Sequence, residues 1–130
     1  MDSKPHSSAA SAPLIDVKGL SAALADFATE RDWNQYHSPK NLVMALTGEV
    51  GELCEIFQWL SEEASRSVAT QPETATAVRE ELADVTLYLV RLASVLGVDL
   101  NEAVTHKLQK NAANYPVEKA HGSHKKYNKL

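Results

Sequence analysis

Apolar residues recur at helical spacing along most of this chain, and no stretch shows the strict alternation that is typical of a half-buried strand. The pattern therefore predicts an all-α fold in which four helices form a bundle. The predicted helices cover residues 17–31, 39–63, 73–96 and a last segment that begins near residue 100 and ends before Pro116. A linker rich in Ser, Ala and Thr, residues 64–72, separates the second helix from the third.

Residues that favour helix ends support these limits. Asp16 is the predicted N-cap of the first helix. Ser38 followed by Pro39 combines a capping side chain with proline at the first helical position, which is a strong start signal for the second helix. Gly97 predicts the end of the third helix, and residues 99–102 (Asp-Leu-Asn-Glu) predict a capping box for the fourth.

Each predicted helix has an apolar stripe that we expect to face the core. The stripes comprise Leu20, Leu24 and Phe27; then Leu46, Val50, Leu53 and Phe57; then Val78, Leu82, Val85 and Leu89; and last Leu100, Val104 and Leu108. The third helix is also apolar at Leu87 and Val90, beyond its main stripe. A lone four-helix unit cannot cover so much apolar surface, so we expect a homo-oligomer.

The ends of the chain differ in composition from the helical part. Residues 1–15 are rich in Ser, Ala and Pro and are predicted to form a disordered tail without the apolar centre of a secretory signal. Residues 118–130 carry four lysines and predict a basic, flexible C-terminal tail. The single all-α domain is then expected over residues 16–117.

Composition narrows the classes of partner and compartment. With 130 residues and 44% apolar content the chain fits one globular domain, and no apolar run approaches the roughly 20 residues that span a bilayer. A net charge of −4 gives no reason to expect a nucleic acid polymer or a membrane as partner. The one cysteine, Cys54, excludes an internal disulfide and fits a reducing, cytoplasmic setting.

The strongest chemical signal is a pair of acids repeated on two helices. Glu49 and Glu52 stand three residues apart on the second helix, and Glu81 and Asp84 do so on the third. At about 100° per residue, the first acid of each pair lies roughly 60° from the centre of its apolar stripe and the second roughly 120°, on the same side. Four carboxylates at the edge of a buried face would repel one another unless a cation lay between them.

Three interpretations of these acids compete. A di-iron carboxylate bundle needs Glu-x-x-His on two helices, but the fourth positions here are Glu52 and Asp84, so the pattern does not match. Ligation by oxygen atoms alone favours Mg²⁺, with Mn²⁺ as a substitute, and hydrolysis at phosphorus is the natural reaction of such a site. The alternative is a non-catalytic helical bundle that serves as an interaction module, with its acidic faces solvated.

A short segment between the first two helices carries flat side chains. Trp33, Tyr36 and His37 lie within five residues, and Trp59 lies on the acid side of the second predicted helix. Aromatic side chains beside an acidic site indicate either contact with a ligand or a plug on the core. No Gly-rich phosphate loop and no Ser-His-Asp or Cys-His signature is present in the sequence.

These motifs together resemble a known family. The pattern Glu-x-x-Glu followed by Glu-x-x-Asp is similar to that of the all-α nucleoside triphosphate pyrophosphohydrolases, the MazG-like superfamily, and most of all to its dCTP pyrophosphatase branch. The matching stretches are FATERDW (27–33), GEVGEL (48–53), FQW (57–59), EELADV (80–85) and NAANYP (111–116). The resemblance implies Mg²⁺-dependent cleavage of a deoxynucleoside triphosphate to the monophosphate and pyrophosphate. It also implies a homotetramer, a dimer of dimers, in which more than one chain forms each site.

The resemblance assigns roles to individual residues. It implies that Glu49, Glu52, Glu81 and Asp84 hold the metal; that Trp33, His37, Trp59 and Tyr88 surround the base and sugar; and that Lys107 and Asn111 face the phosphates. This chain has Ala112, Ala113 and Asn114 where relatives often have Arg or Lys, so neutralisation of the phosphates must depend on Lys107, Lys110 or the tail lysines. Cytosine and its 5-modified forms are the implied bases, and removal of non-standard or excess pyrimidine nucleotides is the implied role.

Overall fold

The computed structural model describes residues 12–130, so the predicted disorder of the first eleven residues lies outside the described part of the chain. The helices are α1 (Lys18–Glu30), α2 (Pro39–Phe57), α3 (Glu62–Ser65), α4 (Ala75–Leu96), α5 (Leu100–Asn114) and α6 (Val117–Ala120). Two short 3-10 helices cover Asn34–Tyr36 and Tyr127–Lys129. No strand occurs between residues 12 and 130, so the predicted all-α fold with four long helices is confirmed.

The described residues divide into two compact units. One unit comprises residues 17–100, and the other comprises 101–130 with the described residues up to Asp16. In the first unit α2 packs along α4, and α1 packs on α4 as well. Its core contains Ala28, Leu42, Val68, Val78, Val90 and Ala93, of which Leu42 and Val90 are the largest fully buried side chains. The pairing of α2 with α4 is what brings the two acidic motifs together.

The predicted inward stripes of α2 and α4 are partly wrong. Val78 is buried, but Val50, Leu82 and Leu89 are exposed, with Leu82 at 52%. Val90, predicted to lie outside the main stripe, is in the core at 1% exposure. Part of the exposed apolar surface of the described residues therefore lies on the predicted stripes themselves. The expectation of a homo-oligomer stays a prediction, now based on Val50, Leu82 and Leu89.

Two of the predicted capping positions are confirmed and one is wrong. The Ser38 hydroxyl accepts a hydrogen bond from the Asn41 N–H at 3.2 Å, with Pro39 at the first helical position. Gly97 ends α4 in the left-handed conformation, with φ of 69°. Asp16 is not the N-cap of α1, because the helix begins at Lys18 and Val17 takes the cap position. The capping box of α5 stays a prediction.

The second predicted helix is shorter than expected. It ends at Phe57, and a separate short helix, α3, begins at Glu62. The hydroxyl of Ser61 accepts a hydrogen bond from the Ala64 N–H at 3.1 Å, so Ser61 caps a new start. The acids Glu62 and Glu63 then occupy the first turn, where the helix dipole favours negative charge. Trp59 therefore lies in the break between two helices and not on α2.

The unit that contains residues 101–130 is also helical. The Ile15 N–H donates to the Asn101 side-chain oxygen at 3.2 Å, which ties the segment before α1 to α5. The predicted basic tail, residues 118–130, contains most of α6 and the second 3-10 helix, and the ring of Tyr127 meets that of Tyr115 edge-on at 6.1 Å. The domain limits 16–117 stay a prediction.

Among the described helices, none combines the length and the apolar composition that crossing a bilayer requires.

Glycine positions provide a matched test of the helix geometry. A Cβ at Gly97 would meet no atom within 4 Å, so Gly97→Ala suffers only from its φ of 69°, and we expect it to lower the free energy of unfolding by about 1 kcal/mol. Gly48 lies inside α2, where a Cβ would also meet no atom within 4 Å. Gly48→Ala should therefore raise the free energy of unfolding by about 0.5–1 kcal/mol. Urea unfolding of both variants measures the difference, and equal stabilities would contradict the assigned backbone conformations.

Candidate metal centre and adjoining cavity

Three of the four predicted acids converge between α2 and α4. Carboxylate oxygens of Glu49, Glu52 and Glu81 all lie within 4.8 Å of one another. The spacing of three residues places Glu49 and Glu52 on neighbouring positions of α2, and α4 packs against that helix. Asp84 does not belong to this group, but its charge is close enough to act on Glu49. We call Glu49, Glu52 and Glu81 the acidic cluster.

The acidic cluster is partly removed from water. Glu49 and Glu81 are half-buried, whereas Glu52 is exposed. One carboxylate oxygen of Glu49 and one of Glu81, both Oε2, are buried without a hydrogen-bond partner among the described residues. Leaving a buried acceptor unsatisfied costs about 1–3 kcal/mol, and more when the group is charged. The two atoms therefore favour a proton or a cation.

Burial and mutual repulsion shift the affinity of these carboxylates for protons. Burial, followed by hydrogen bonds and charge repulsion with Glu49 and Glu52, raises the pKa of Glu81 to about 7. A hydrogen bond with Glu81 lowers the pKa of Glu49, but burial and the neighbouring Glu52 and Asp84 outweigh it, so the pKa of Glu49 is raised. Near neutral pH the acidic cluster therefore retains a proton for part of the time in the absence of a cation.

A cavity of about 160 Å³ adjoins the acids through Asp84. Its walls are Leu24, Phe27, Trp33, His37, Asp84, Leu87, Tyr88 and Arg91. The ring of Trp33 meets that of Phe27 edge-on at 5.6 Å and that of His37 at 6.4 Å. An apolar cavity of roughly 150 Å³ holds one benzene molecule. This cavity is thus suited to a flat six-membered ring, with a carboxylate at its edge.

The predicted substrate-binding residues are only partly brought together. Trp33, His37 and Tyr88 line the cavity. Trp59 does not line it and is 87% exposed, because the chain leaves α2 before this residue. Lys107 and Asn111 lie on α5 in the other unit, where Lys107 is exposed and Asn111 is half-buried. The roles of Trp59, Lys107 and Asn111 stay predictions.

Arg91 is the cavity residue that the sequence interpretation missed. It is buried on α4, and its guanidinium donates to His37 and Asn34. Burial, followed by the positive charge of Arg91, lowers the pKa of His37 below its usual value. A sequence signal did exist, because Arg91 is the lone charge in the apolar run Leu89-Val90-Arg91-Leu92-Ala93. Such a charge needs polar partners inside the fold.

Comparison with known proteins identifies a family and relatives that are similar to this chain. Residues 45–130 match the model of the MazG-like family. The chain is 47% identical to dCTP pyrophosphatase 1 of Rattus norvegicus over 126 residues, which cover 97% of this chain and 72% of the relative. It is likewise 47% identical to dCTP pyrophosphatase 1 of Homo sapiens over 117 residues, covering 90% of this chain and 67% of that protein.

A solved structure is similar over most of the same region. The crystal structure of a pyrophosphatase from Archaeoglobus fulgidus superposes with a TM-score of 0.71 at 40% sequence identity, covering 77% of this chain and 92% of that one. The family match includes all of the acids on α2 and α4. The resemblance inferred from the acidic motifs is therefore confirmed, and the chain belongs to the MazG-like family.

Proposed function

We propose that this chain is a nucleotide pyrophosphohydrolase that uses Mg²⁺ to cleave dCTP, and 5-modified dCTP, to the monophosphate and pyrophosphate. One observation carries the proposal: the acidic cluster adjoins, through Asp84, a cavity that is suited to one six-membered ring. The relatives named as dCTP pyrophosphatases support the choice of substrate. Removal of unwanted pyrimidine nucleotides is the corresponding cellular role, in the cytoplasm that the single cysteine favours.

The donor set of the acidic cluster fits a hard divalent cation. Glu49, Glu52 and Glu81 offer carboxylate oxygens only, which are ligands that Mg²⁺ and Mn²⁺ prefer over softer metals. The two buried Oε2 atoms without hydrogen-bond partners are the positions where a cation gains most. We propose that these three residues hold the ion together with Asp84, which also lines the cavity.

The metal ligands and the cavity residues have separate roles in the proposed reaction. A divalent ion bound here supplies polarisation of a phosphoryl oxygen and promotes ionisation of water. Trp33 and Tyr88 hold the base in the cavity, so the triphosphate of a bound nucleotide is directed toward Asp84 and the acidic cluster. Attack of water at the α-phosphorus breaks its bond to the bridging oxygen and releases pyrophosphate. Binding of the ion would displace the proton that the raised pKa of Glu81 retains in the metal-free protein.

The assembly that we propose accounts for the residues that lie away from the cavity. A homotetramer built as a dimer of dimers would cover the exposed Val50, Leu82 and Leu89. The exposed Trp59 would then contact substrate in an assembled site, as the family resemblance implies. Lys107 and Asn111 would serve the phosphates in the same assembly.

The alternative function, an interaction module with solvated acids, conflicts with the burial of the acids. Surface acids on a module would be hydrated, yet Glu49 and Glu81 each bury an oxygen atom that has no partner among residues 12–130. Such an arrangement is costly in a protein that binds no cation. We therefore prefer the enzyme.

Matched acid variants on α2 test the proposed function. Glu52→Gln removes a charge from the acidic cluster, whereas Glu55→Gln removes one from an exposed position on the same helix. We expect the first to lower kcat/KM for dCTP by more than about 100-fold, because even groups that only orient metal ligands contribute about 10- to 100-fold. Glu55→Gln should keep kcat/KM for dCTP within about twofold of the wild-type value. Pyrophosphate and phosphate release with Mg²⁺ are the measurements, and a wild type that releases neither would reject the function.

The pH dependence of stability tests the repulsion within the acidic cluster. The pKa of Glu81 is about 7 in the fold, against an ordinary value of 4.5. Between these two pH values the metal-free fold therefore binds a proton that the unfolded chain has released. The contribution of Glu81 to stability is therefore greatest below about pH 4.5 and falls as pH rises to about 7. We expect Glu81→Gln to show a weaker fall than wild type in urea unfolding with a chelator present. Parallel pH profiles would contradict the raised pKa of Glu81.

A substrate panel tests the cavity. Stacking on aromatic rings contributes roughly 1–3 kcal/mol per base and tolerates any base, so selection must come from the size of the cavity and from polar groups. We expect dCTP and 5-methyl-dCTP to be the best substrates, the methyl group adding up to about 1 kcal/mol, and dATP to be poor. Trp33→Ala and Trp59→Ala should raise KM more than they lower kcat. Equal kcat/KM for dATP and dCTP would remove the assignment of a pyrimidine cavity.

A further inference from the structure

Arg91 is a buried cation at the wall of the cavity. It is 9% exposed, and it is the one buried charged side chain among the described residues. A buried guanidinium normally pairs with a carboxylate, which offsets the loss of hydration. No carboxylate of the described residues lies within 4.0 Å of its guanidinium. The position of Arg91 therefore calls for an explanation other than an internal ion pair.

The partners of Arg91 are neutral groups in the segment between α1 and α2. Its Nε–H donates to Nδ1 of His37 at 3.1 Å, and its Nη2 donates to the side-chain oxygen of Asn34 at 2.8 Å. These bonds join residues 54 and 57 positions apart, so they attach the 3-10 turn Asn34–Tyr36 to the middle of α4. The turn is also attached to its neighbours, because the Asn34 amide donates to the Thr29 hydroxyl at 3.1 Å.

The bond to His37 determines which ring nitrogen carries the proton. An Nε–H of arginine can only donate, so Nδ1 of His37 must be the acceptor and cannot carry a hydrogen. The neutral imidazole then has its proton on Nε2. The adjacent positive charge and the partial burial both disfavour a second proton. His37 thus keeps one remaining ring group, an Nε2–H donor, in a side chain that lines the cavity.

We propose that Arg91 is a positioning residue for binding of the base, because it fixes His37 as the neutral Nε2–H tautomer that donates to an acceptor on the edge of that base. Cytosine offers such acceptors at its ring nitrogen N3 and its carbonyl oxygen O2. The inference rests on the proposed function, since it concerns the base in the same cavity. It adds a residue that acts through His37 and touches neither the acidic cluster nor the phosphates.

The tautomer of His37 is measurable without any variant. Long-range ¹H–¹⁵N NMR of the full chain at neutral pH distinguishes protonated from unprotonated ring nitrogens, and loss of the signal in His37→Asn assigns it. We expect wild-type His37 to show a protonated Nε2 and an unprotonated Nδ1. In Arg91→Met the two nitrogens should average toward a mixture of tautomers. A wild-type His37 with its proton on Nδ1, or already a mixture, overturns the proposal whatever the variants do.

Kinetics separate a positioning role from a purely structural one. Arg91→Met is compared with Arg66→Met, an exposed arginine that does not line the cavity. We expect Arg91→Met to raise KM for dCTP roughly tenfold, the factor expected for one lost hydrogen bond to substrate, with kcat within about twofold. Arg66→Met should leave both constants unchanged.

The outcomes distinguish this inference from the proposed function. Equal KM values for Arg91→Met and Arg66→Met, with an active wild type, overturn the role of Arg91 and leave the function standing. A wild type that cleaves no deoxynucleoside triphosphate rejects the function instead, and the NMR signature then decides alone whether Arg91 fixes His37. If Arg91→Met does not fold, as judged by thermal unfolding, the wild-type tautomer still decides.

Discussion

The packing of α2 against α4 forces like charges together, and much of the structure follows from that constraint. Glu49 and Glu81 each bury an oxygen atom without a partner, and Glu52 lies within 4.8 Å of both carboxylates. Burial, followed by hydrogen bonds and charge repulsion with Glu49 and Glu52, raises the pKa of Glu81 to about 7, which is the response expected of carboxylates that cannot all ionise. The helices hold together because both bury apolar residues completely, such as Leu42 on α2 and Val90 on α4.

One face of α4 carries the acid, the aromatic wall and the buried cation in sequence. Glu81, Asp84, Tyr88 and Arg91 fall within about 80° of one another at 100° per residue. Successive members therefore lie about one turn apart along the helix. A nucleotide that lay along this face would place its phosphates toward Glu81 and its base toward Arg91. The order of residues on a single helix thus determines the direction in which a nucleotide would bind in the proposed site.

Much of the fold and of the acidic site could be predicted because the signals are local. Ser38 with Pro39, and Gly97, determine helix ends through their own backbone and side-chain chemistry. The spacing of Glu49 and Glu52 alone places them on one side of a helix. The break before Trp59 could also have been predicted, because Ser61 followed by two acids is a helix start, but the helical period of the surrounding residues concealed it.

Other features depend on contacts between distant parts of the chain and could not be predicted in the same way. The burial of Arg91 depends on Asn34 and His37, more than fifty residues away, and no local pattern identifies them as its partners. Likewise, the period of α4 shows that Leu82 and Leu89 share a face with Val78, but not which part of that face another element covers. Periodicity determines which residues share a face, whereas the tertiary arrangement determines whether that face is buried.

The acidic cluster also links stability to function. Repulsion among Glu49, Glu52 and Glu81 acts at the main helix contact of the unit that contains residues 17–100, so it opposes folding where that unit is held together. A ligand that binds only the folded state stabilises it by about 2.7 kcal/mol at a hundredfold excess over its Kd. A divalent cation in the acidic cluster would therefore offset the repulsion among the three carboxylates and stabilise the folded protein. The carboxylates that destabilise the metal-free protein are the same ones that we propose as ligands of the cation. Catalysis therefore explains the buried acids better than packing does.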